Sequence, residues 1–517
     1  MVPASRVDRR KLEEITLSHC ILMLRCLRTL VRLERPTSIV SKRTASRSVR
    51  LFATRGHPKV TNMKRKGASN DGESPSKKFK SHVPEYHETP SLKEEDGSIQ
   101  WPAPRAQMEA ARDIILECAG ANKKTLIVPD KDADGLSSGA ILRHTLILLG
   151  LREELIDVHL PKKGETVHSP SERALIDAHQ PSYIFVLDQG SRHSPPLATN
   201  DHTCLVIDHH FATPTDFPES SSHVTACTSP PVATSSLLTY LLCLPLHPSV
   251  RPLTAWLAIV GTHGDLGTAL KWLPPFPDMT EPFKAHKKKA LNDAVSLVNA
   301  PRRTATYDVR SAWDALATAP GPASLLANPR LRAARAEVNA EVERCSHAAP
   351  KFSADGAVAV FRIRSAAQVH PVVATRWAGH LKSRALEIVL VANEGYLPGK
   401  VNFSCRVARC AKGRGGGEEV DIIRSLKGYA RLLEEGGEGE RTPLIERLGD
   451  DFARGHVQAS GGIVTVEEFE ELMRLMKVGV KPAKKEGEEK ASPGKKKAGI
   501  DPGQKNTLAG YFAKAEK

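Results

Sequence analysis

Residues 125–138 read TLIVPDKDADGLSS, and this stretch sets the expected architecture. An apolar run with strand character is followed at once by a turn that carries Asp130, Asp132 and Asp134 and then a glycine. Three carboxylates packed this closely repel one another unless a cation lies among them. An EF-hand loop is excluded by context, because it follows a helix and ends in a Glu at its twelfth position, which is Ile141 here. The stretch therefore indicates a cation site at the end of a strand.

Two further apolar runs also stop at an aspartate. Residues 183–187 are followed by Asp188, and residues 204–207 by Asp208. Helical patterns alternate with these runs, which predicts a mostly parallel sheet with crossover helices. The carboxyl ends of parallel strands face one ligand crevice, so the acids should converge there. A single aspartate of this kind would be an ordinary helix cap, but three predict a shared site.

Two histidines and a fourth acidic segment extend this set. Asp208 is followed by His209 and His210, and mixed carboxylate and imidazole ligation suits Mn²⁺, and also Mg²⁺, Fe or Co, better than a structural zinc. Asp265 stands in residues 261–267, GTHGDLG, after an apolar stretch, and a glycine-bracketed turn is expected there. The four segments together predict one metal-binding cluster.

Composition divides the chain into five predicted segments. They are a disordered N-terminal region with targeting signals (1–100), an α/β domain (101–290), a helical linker (291–354), a smaller α/β domain (355–476) and a disordered Lys-rich tail (477–517). In the smaller domain, strands are expected at 357–363, 386–391 and 400–407, and helices at 420–435 and 466–476. The predicted fold class is α/β, with a doubly wound, mostly parallel sheet joined by the linker to the second domain.

The net positive charge of the chain is concentrated in its N-terminal and C-terminal segments. Residues 1–100 carry 21 Lys and Arg against 11 Asp and Glu, and residues 477–517 carry 11 against 5. Residues 101–476 hold 42 basic and 43 acidic side chains, so bulk positive charge in this part does not indicate a nucleic-acid binder.

The cysteines and the hydropathy of the sequence predict the compartment in which the protein works. The 9 cysteines contain no C-x-x-C pair, which argues against a disulfide framework or a zinc ribbon and predicts a reducing compartment. No run of about eighteen apolar residues is present, so no membrane span is expected.

The four segments, in this order, resemble the DHH phosphoesterase superfamily, and within it the RecJ-like branch of single-strand exonucleases and oligonucleotide phosphodiesterases. Residues 130–135 resemble the D-x-D-x-D-G motif, and Asp188 resembles the isolated acid of the second motif. Residues 208–210 resemble the motif that names the family, and Asp265 the acid of the fourth. The resemblance implies that 101–290 is a catalytic DHH domain.

The second domain carries a resemblance of its own. Residues 455–462, GHVQASGG, resemble the G-G-H-x-x-A-x-G signature of the associated DHHA1 domain, and residues 401–406 resemble the strand that presents its substrate-holding arginine. The substrate-binding residues that this implies are Ser404, Arg406, Gly455, His456 and Gly461.

The resemblance also implies a reaction and a set of roles. The implied activity is metal-dependent hydrolysis of phosphodiester bonds in single-stranded DNA or short RNA, in DNA repair or replication, with two Mn²⁺ or Mg²⁺ ions. The implied metal ligands are Asp132, Asp134, Asp188, His209 and Asp265. The implied catalytic residues are Asp130, a ligand or general acid/base, Asp208, which orients a histidine, and His210, which contacts metal or phosphate.

Two other functions are open at this point. The same core would serve a small-nucleotide phosphodiesterase or phosphatase that acts on cyclic dinucleotides or 3′-phosphoadenosine phosphate. A catalytically inactive structural member of the family is the second alternative, and the intact acids at every metal position argue against it.

The terminal segments carry predicted targeting signals and a predicted docking peptide. A two-part nuclear import signal is formed by Lys64, Arg65, Lys66, Lys77, Lys78 and Lys80, which predicts importin binding and a nuclear location. The first sixty residues have the composition of a mitochondrial transit peptide, so translation from Met1 predicts a mitochondrial form; an upstream-extended start is the equal alternative, with Met63 as the second beginning. Near the C-terminus, Leu508, Tyr511 and Phe512 have the spacing of the peptide that docks on the sliding clamp PCNA.

Overall fold

Two β-sheets organise the chain in the computed structural model, which describes residues 91–412, 414, 419–432, 442–449, 452–456 and 458–480. These residues belong to one compact unit, Lys80–Lys517. The import signal and the clamp-docking peptide predicted above lie outside the described residues. In the part of the chain that is described, no helix is both long and apolar enough to cross a membrane.

The first sheet consists of five parallel strands, as the sequence predicted for its central members. They are β1 (Thr125–Pro129), β2 (Ile156–Val158), β3 (Tyr183–Leu187), β4 (Thr203–Asp208) and β5 (Ser221–Thr225). Their order across the sheet is β2-β1-β3-β4-β5. Every residue of β1 and β3 is buried, because both faces of a parallel sheet are covered, and this is why these strands are continuous apolar runs.

Helices cover this sheet unequally on its two faces. They are α1 (Arg105–Ala121), α2 (Ala133–Leu148), α3 (Pro170–Ala178), α4 (Ser235–Cys243) and α5 (Val250–Asp265). Residues of α1, α2, α4 and α5 share one large core with the sheet, whereas α3 covers the other face together with loop residues that include Val167, Leu197 and Phe217. The α/β fold class predicted from the sequence is confirmed.

A helical segment follows, as expected for 291–354. It consists of α6 (Thr280–His286), α7 (Lys288–Val298), a 3₁₀ turn (Pro301–Arg303), α8 (Val309–Thr318), α9 (Pro322–Ala327) and α10 (Pro329–Cys345). Several of its apolar side chains, among them Leu291, Trp313 and Leu331, join the core of the first sheet. The segment is therefore part of the first domain's packing.

The second sheet is mixed and contains six strands. They are β6 (Lys351–Phe352), β7 (Val358–Ile363), β8 (Ile388–Leu397), β9 (Lys400–Val407), β10 (Arg454–His456) and β11 (Ala459–Thr465), and their order is β10-β11-β9-β8-β7-β6. Only β7 and β8 are parallel. The three predicted strands are present as β7, β8 and β9, whereas β6, β10 and β11 were not predicted.

Short helices complete the second domain. They are α11 (His370–His380), α12 (Arg409–Lys412), α13 (Ile422–Ala430), α14 (Leu444–Arg447) and α15 (Val466–Leu475). The helix predicted at 420–435 begins later and ends at Ala430, whereas the helix predicted at 466–476 differs by one residue. The sheet has a core on each face, one with α13 and α15 and the other with α10 and α11.

Candidate metal centre

Three aspartates stand side by side at the carboxyl edge of the first sheet. Asp130 follows β1, Asp188 follows β3, and Asp208 ends β4. The amide of Asp130 donates to the carbonyl of Leu187 over 2.9 Å, and that of Asp188 donates to the carbonyl of Ile207 over 3.0 Å. The structure thus brings the three acids to one edge, where parallel strands place them.

The acidic stretch after β1 forms the start of α2 instead of the free turn expected from the sequence. Asp132 is the N-cap of α2, and its Oδ1 accepts from the amides of Asp134 (3.0 Å) and Gly135 (3.2 Å). A Cβ on Gly135 would lie 2.6 Å from the carbonyl oxygen of Asp130, so glycine lets the helix begin this close to the strand. The carboxylates therefore project from a rigid junction.

Asp134 is fully buried and lies against the N-terminus of α4. Its Oδ2 accepts from the amide of Ser235 (2.7 Å), and its Oδ1 accepts from the amide (3.1 Å) and hydroxyl (2.5 Å) of Ser236. Burial alone would raise the pKa of Asp134, but hydrogen bonds from His209 and Ser236 and the charge of His209 outweigh it, so the pKa is lowered. Asp134 is therefore a carboxylate at neutral pH.

His209 lies between two groups of carboxylates. Its Nδ1 is 3.5 Å from Asp134 Oδ2 and 3.6 Å from Asp188 Oδ1, while its Nε2 is 3.4 Å from Asp265 Oδ2. The prediction that Asp265 stands in a glycine-bracketed turn was wrong, because Asp265 is the last residue of α5. A Cβ on Gly261 would lie 2.8 Å from Asp134 Oδ1, so the glycines read as turn signals instead permit close approach of this helix.

Asp208 is engaged by protein donors on both oxygens. Its Oδ1 lies 2.8 Å from Nδ1 of His210 and accepts from the amides of His209 (2.7 Å) and His210 (3.2 Å), while its Oδ2 accepts from the hydroxyl of Ser191 (2.7 Å). Burial opposes the charged form of both partners, yet their mutual hydrogen bond lowers the pKa of Asp208 to about 2 and raises that of His210 to about 9. This geometry suits the orienting role predicted for Asp208.

Three overlapping sets of side chains have ligand atoms within 4.8 Å of one another. The sets are Asp130, Asp132 and Asp188; then Asp134, Asp188, His209 and Asp265; then Asp188, His209 and His210. Asp188 belongs to all three and is buried. Oxygen and imidazole ligands in this arrangement could hold a metal ion such as Mn²⁺ or Mg²⁺.

Repulsion within the cluster is visible in two pKa shifts. Burial and the charges of Asp134 and Asp132 raise the pKa of Asp188 well above its usual range. Burial, together with the same two carboxylates, raises the pKa of Asp265 to about 8. The protein therefore gathers more negative charge than its own residues stabilise, as expected for a cation site.

The backbone of Asp188 is itself unusual. Its φ is +62°, in the left-handed region that side chains other than glycine, Asn and Asp seldom adopt. Its Oδ1 accepts a 2.9 Å hydrogen bond from the hydroxyl of Ser235. The shared carboxylate is thus held in one orientation by a backbone conformation that costs on the order of 1–3 kcal/mol.

Sequence reasoning missed three residues that border the cluster at the 3₁₀ turn and just before it. Asn299 Oδ1 accepts from the amide of Ala133 (3.3 Å) and from Nε of Arg302 (3.0 Å), and Nη2 of Arg302 lies 3.6 Å from Asp132 Oδ2. Burial and the charge of Arg302 lower the pKa of Arg303 to about 9. The only signal in the sequence was the local Asn-Ala-Pro-Arg-Arg pattern in a region read as a linker.

The second sheet presents a cationic group to the same place. Ser404 and Arg406 lie two residues apart on β9, and Nη1 of Arg406 donates to the Ser404 hydroxyl over 2.9 Å. Arg406 is close enough to lower the pKa of Arg303, and both arginines add to the effect of burial that lowers the pKa of His370 to about 3. Among the described residues, no carboxylate lies within ion-pair distance of Arg303 or Arg406.

The two predicted glycines lie in the outer strands of the second sheet. Gly455 pairs with Ser460, and Gly461 pairs with Arg454 and with Ser404. A Cβ on Gly461 would lie 2.5 Å from the carbonyl oxygen of Phe403, so glycine is required for the strands to pack here. The side chain of His456 lies outside the described part, so its substrate-binding role stays a prediction.

Comparison with known proteins agrees with this geometry. Residues 124–262 match the model of the DHH family, N-terminal domain, a segment that contains the whole first sheet and the acids Asp130, Asp132, Asp134, Asp188 and Asp208. No curated protein matches the sequence. The match therefore covers the parallel sheet and the acids at the carboxyl ends of its strands. The similarity to the DHH family is therefore shown for residues 124–262.

Three solved structures are similar over most of the chain. The DHH domain of a member of a ribosomal protein family is 12% identical, with a TM-score of 0.50, over 73% of this chain and 92% of that one. RecJ from Thermus thermophilus in complex with Mn²⁺ is 18% identical, with a TM-score of 0.47, over 73% of this chain and 55% of that one. The pGpG-specific phosphodiesterase of Vibrio cholerae is 14% identical, with a TM-score of 0.34, over 69% and 98%. The chain therefore spans about half the length of that RecJ protein.

Proposed function

We propose that the protein is a metal-dependent phosphodiesterase that hydrolyses phosphodiester bonds of single-stranded nucleic acid, as a RecJ-like exonuclease or oligonucleotidase. The observation that carries the proposal is the overlap of two ligand sets in one buried carboxylate. Asp188 forms one set with Asp130 and Asp132 and another with Asp134, His209 and Asp265. Two cations that share a ligand form the arrangement that clamps a phosphate between them.

The residues present fit two Mn²⁺ or Mg²⁺ ions. The donors are hard carboxylate oxygens with one imidazole, and the raised pKa values of Asp188 and Asp265 show that the cluster lacks positive charge. Such ions, when bound, polarise a phosphate ester and supply a nucleophilic water at neutral pH.

His210 is the group beside this cluster that is suited to proton transfer or to phosphate binding. Its side chain is 56% exposed, and the Asp208 carboxylate holds its Nδ1 at 2.8 Å. The pKa of about 9 keeps the ring of the metal-free protein protonated at neutral pH, so it supplies a positive charge and a proton beside the cluster. Asp208 positions it and supplies the counter-charge.

Arg303 and Arg406 are suited to hold the substrate. Burial lowers the pKa of both guanidinium groups, and no carboxylate of the described residues lies within ion-pair distance of either, although the charge of Asp132 partly offsets the lowering at Arg303. Two arginines close enough to repel each other need an anion between them. We infer that they bind phosphate groups of the nucleic acid next to the metal cluster, together with Ser404.

The test is an activity assay of the full chain on end-labelled oligonucleotides of graded length, beside small nucleotides. Mn²⁺-dependent shortening of the oligonucleotides, abolished by a chelator, is the expected result. Hydrolysis of small nucleotides alone would replace this proposal with the second one below. No hydrolysis of any phosphodiester under these conditions would contradict both.

A small-nucleotide phosphodiesterase is the second candidate. The observation in its favour is the charge balance of residues 101–476, which carry 42 basic and 43 acidic side chains. A protein that binds a long nucleic-acid backbone gains affinity from excess positive charge, whereas a protein that binds one nucleotide needs only a local cationic group. Arg303 and Arg406 supply such a group in either case.

We further propose a nuclear role in DNA repair or replication. The support is the predicted import signal at 64–80 and the predicted PCNA-docking residues Leu508, Tyr511 and Phe512. These segments would recruit the enzyme through importin and the sliding clamp, while a mitochondrial form remains the alternative proposal for translation from Met1.

A further inference from the structure

Phe211 is the most exposed large apolar side chain in the described part of the chain, at 84%. It follows His209 and His210 directly. Full burial of a Phe side chain contributes about 1.5–3 kcal/mol, a gain that this position forgoes. An aromatic ring held in water directly after His209 and His210 is placed to contact a ligand that binds at the cluster.

The chain on both sides of this ring is well anchored. On one side, His210 is hydrogen-bonded to Asp208. On the other, Ala212 is buried, and Phe217 is buried and stacks on the ring of His223 with centroids 3.9 Å apart. Phe211 therefore points outward from a fixed backbone, while its apolar neighbours in the same segment turn inward.

We propose that the ring of Phe211 is a stacking surface for a nucleobase of the substrate whose phosphate lies at the metal cluster. The proposal rests on the proposed function and adds a determinant of specificity to it. Base-aromatic stacking is tolerant of sequence, because every base has a π-face, and it has no counterpart in phosphate chains that lack bases.

The position of Phe211 is suited to this contact. The Cα atoms of His209 and Phe211 are at most about 7 Å apart, since two residues of extended chain span no more. A nucleotide whose phosphate meets the metal ligands can therefore bring its base over the ring. The ring of His210, the residue before Phe211, stacks on that of His209 with centroids 4.6 Å apart.

The test combines a change in the protein with a change in the substrate. Phe211→Ala and Phe211→Trp are compared with wild type on a short oligonucleotide that either carries all its bases or has one abasic nucleotide, placed at each position in turn. Phe352→Ala is the matched control, because Phe352 is 38% exposed on β6, an edge strand of the second sheet.

Phe211→Ala should lower kcat/KM on the intact oligonucleotide by roughly ten- to a hundredfold, mainly through KM, and Phe211→Trp should retain it. With the base removed at the stacking position, wild type and Phe211→Ala should become equal. Phe352→Ala should match wild type on every substrate.

The outcomes separate the two proposals. Equal loss by Phe211→Ala on intact and on every abasic oligonucleotide, or no loss at all, would overturn the stacking role while hydrolysis by wild type still supports the proposed function. Absence of Mn²⁺-dependent hydrolysis by wild type would overturn both. A change in oligomeric state without a change in kinetics would assign Phe211 to a protein contact and contradict the proposal.

Discussion

The carboxylate of Asp208 holds Nδ1 of His210 at 2.8 Å and keeps that imidazole protonated at neutral pH. The bond therefore couples a buried anion to an exposed cation at the rim of the cluster. Asp208 accepts from protein donors on both of its oxygens, which agrees with its absence from the three sets of side chains that could hold a metal ion.

Asp208→Asn should move the pH dependence of activity towards acid. Loss of the carboxylate removes the main reason for the raised pKa of His210, so the ring loses its proton at lower pH. The alkaline fall of kcat/KM should shift down accordingly, and the ¹H–¹⁵N titration of His210 should shift with it. An unchanged alkaline limb would mean that protonated His210 has no part in the reaction.

Asp188→Asn and His209→Ala should lower turnover by several orders of magnitude while the fold stays intact. Asp188 is shared by every ligand set, and asparagine tolerates its φ of +62° better than alanine does. The measurement is kcat with Mn²⁺, with circular dichroism as the check on folding. Asp113→Asn, at an exposed position on α1, is the control and should keep full activity.

The metal-free protein should become less stable as pH rises from about 6.5 to about 8, above the range in which histidines with lowered pKa values, such as His370, have the opposite effect. An acid with a raised pKa in the folded state binds more protons folded than unfolded, so folding stability falls with pH across that window. Mn²⁺ should restore stability near pH 8. Thermal unfolding with chelator or with Mn²⁺ measures both effects.

The same repulsion between carboxylates predicts that one substitution makes the metal-free protein more stable. Asp188→Asn should raise the melting temperature of the metal-free protein by a few degrees near pH 8 and remove its response to Mn²⁺. A decrease in the melting temperature of this variant without metal would show that repulsion does not dominate the cluster.

Arg303→Ala and Arg406→Ala should raise KM more than they lower kcat. Each removes a charge-assisted contact to phosphate, for which a loss of roughly ten- to a hundredfold in binding is expected. Steady-state kinetics on a short oligonucleotide measures the split. Arg332→Ala, exposed on α10, serves as the control, and a fall in kcat alone for both variants would assign these arginines to the chemical step.

Tyr511→Ala combined with Phe512→Ala should abolish binding of the C-terminal peptide to purified PCNA without changing hydrolysis of free oligonucleotides. The two aromatic residues supply most of the apolar area that such a peptide inserts into a partner groove. Titration of the labelled peptide, wild type against double variant, measures it. Equal affinity of the two peptides would leave these residues without a role in clamp binding.

The strand-end acids were predictable because a parallel sheet carries its own geometric rule. Buried strands are apolar runs, their carboxyl ends share an edge, and Asp130, Asp188 and Asp208 stand at those ends. The contacts of Asp134 with Ser235 and Ser236 were not predictable, because they join helices about a hundred residues apart and no local pattern marks them.

The wrong prediction of a turn at Asp265 has a physical cause. Gly261 and Gly264 were read as turn signals, since glycine is the usual residue where a chain reverses. In the fold they are the small positions of α5 that face Asp134 and Ala133. Sequence alone does not distinguish a glycine that bends the backbone from one that lets another element approach.

The amides of Asp130 and Asp188 donate hydrogen bonds to the neighbouring strands. These bonds have a consequence for how far the sequence can diverge in evolution. They tie the spacing of the acids to the distance between adjacent strands, about 4.8 Å in any sheet. Peptide groups set that distance whatever side chains surround them. Mutations can therefore accumulate throughout the domain without altering the separation of these aspartates, provided that the strands stay paired and the aspartates remain.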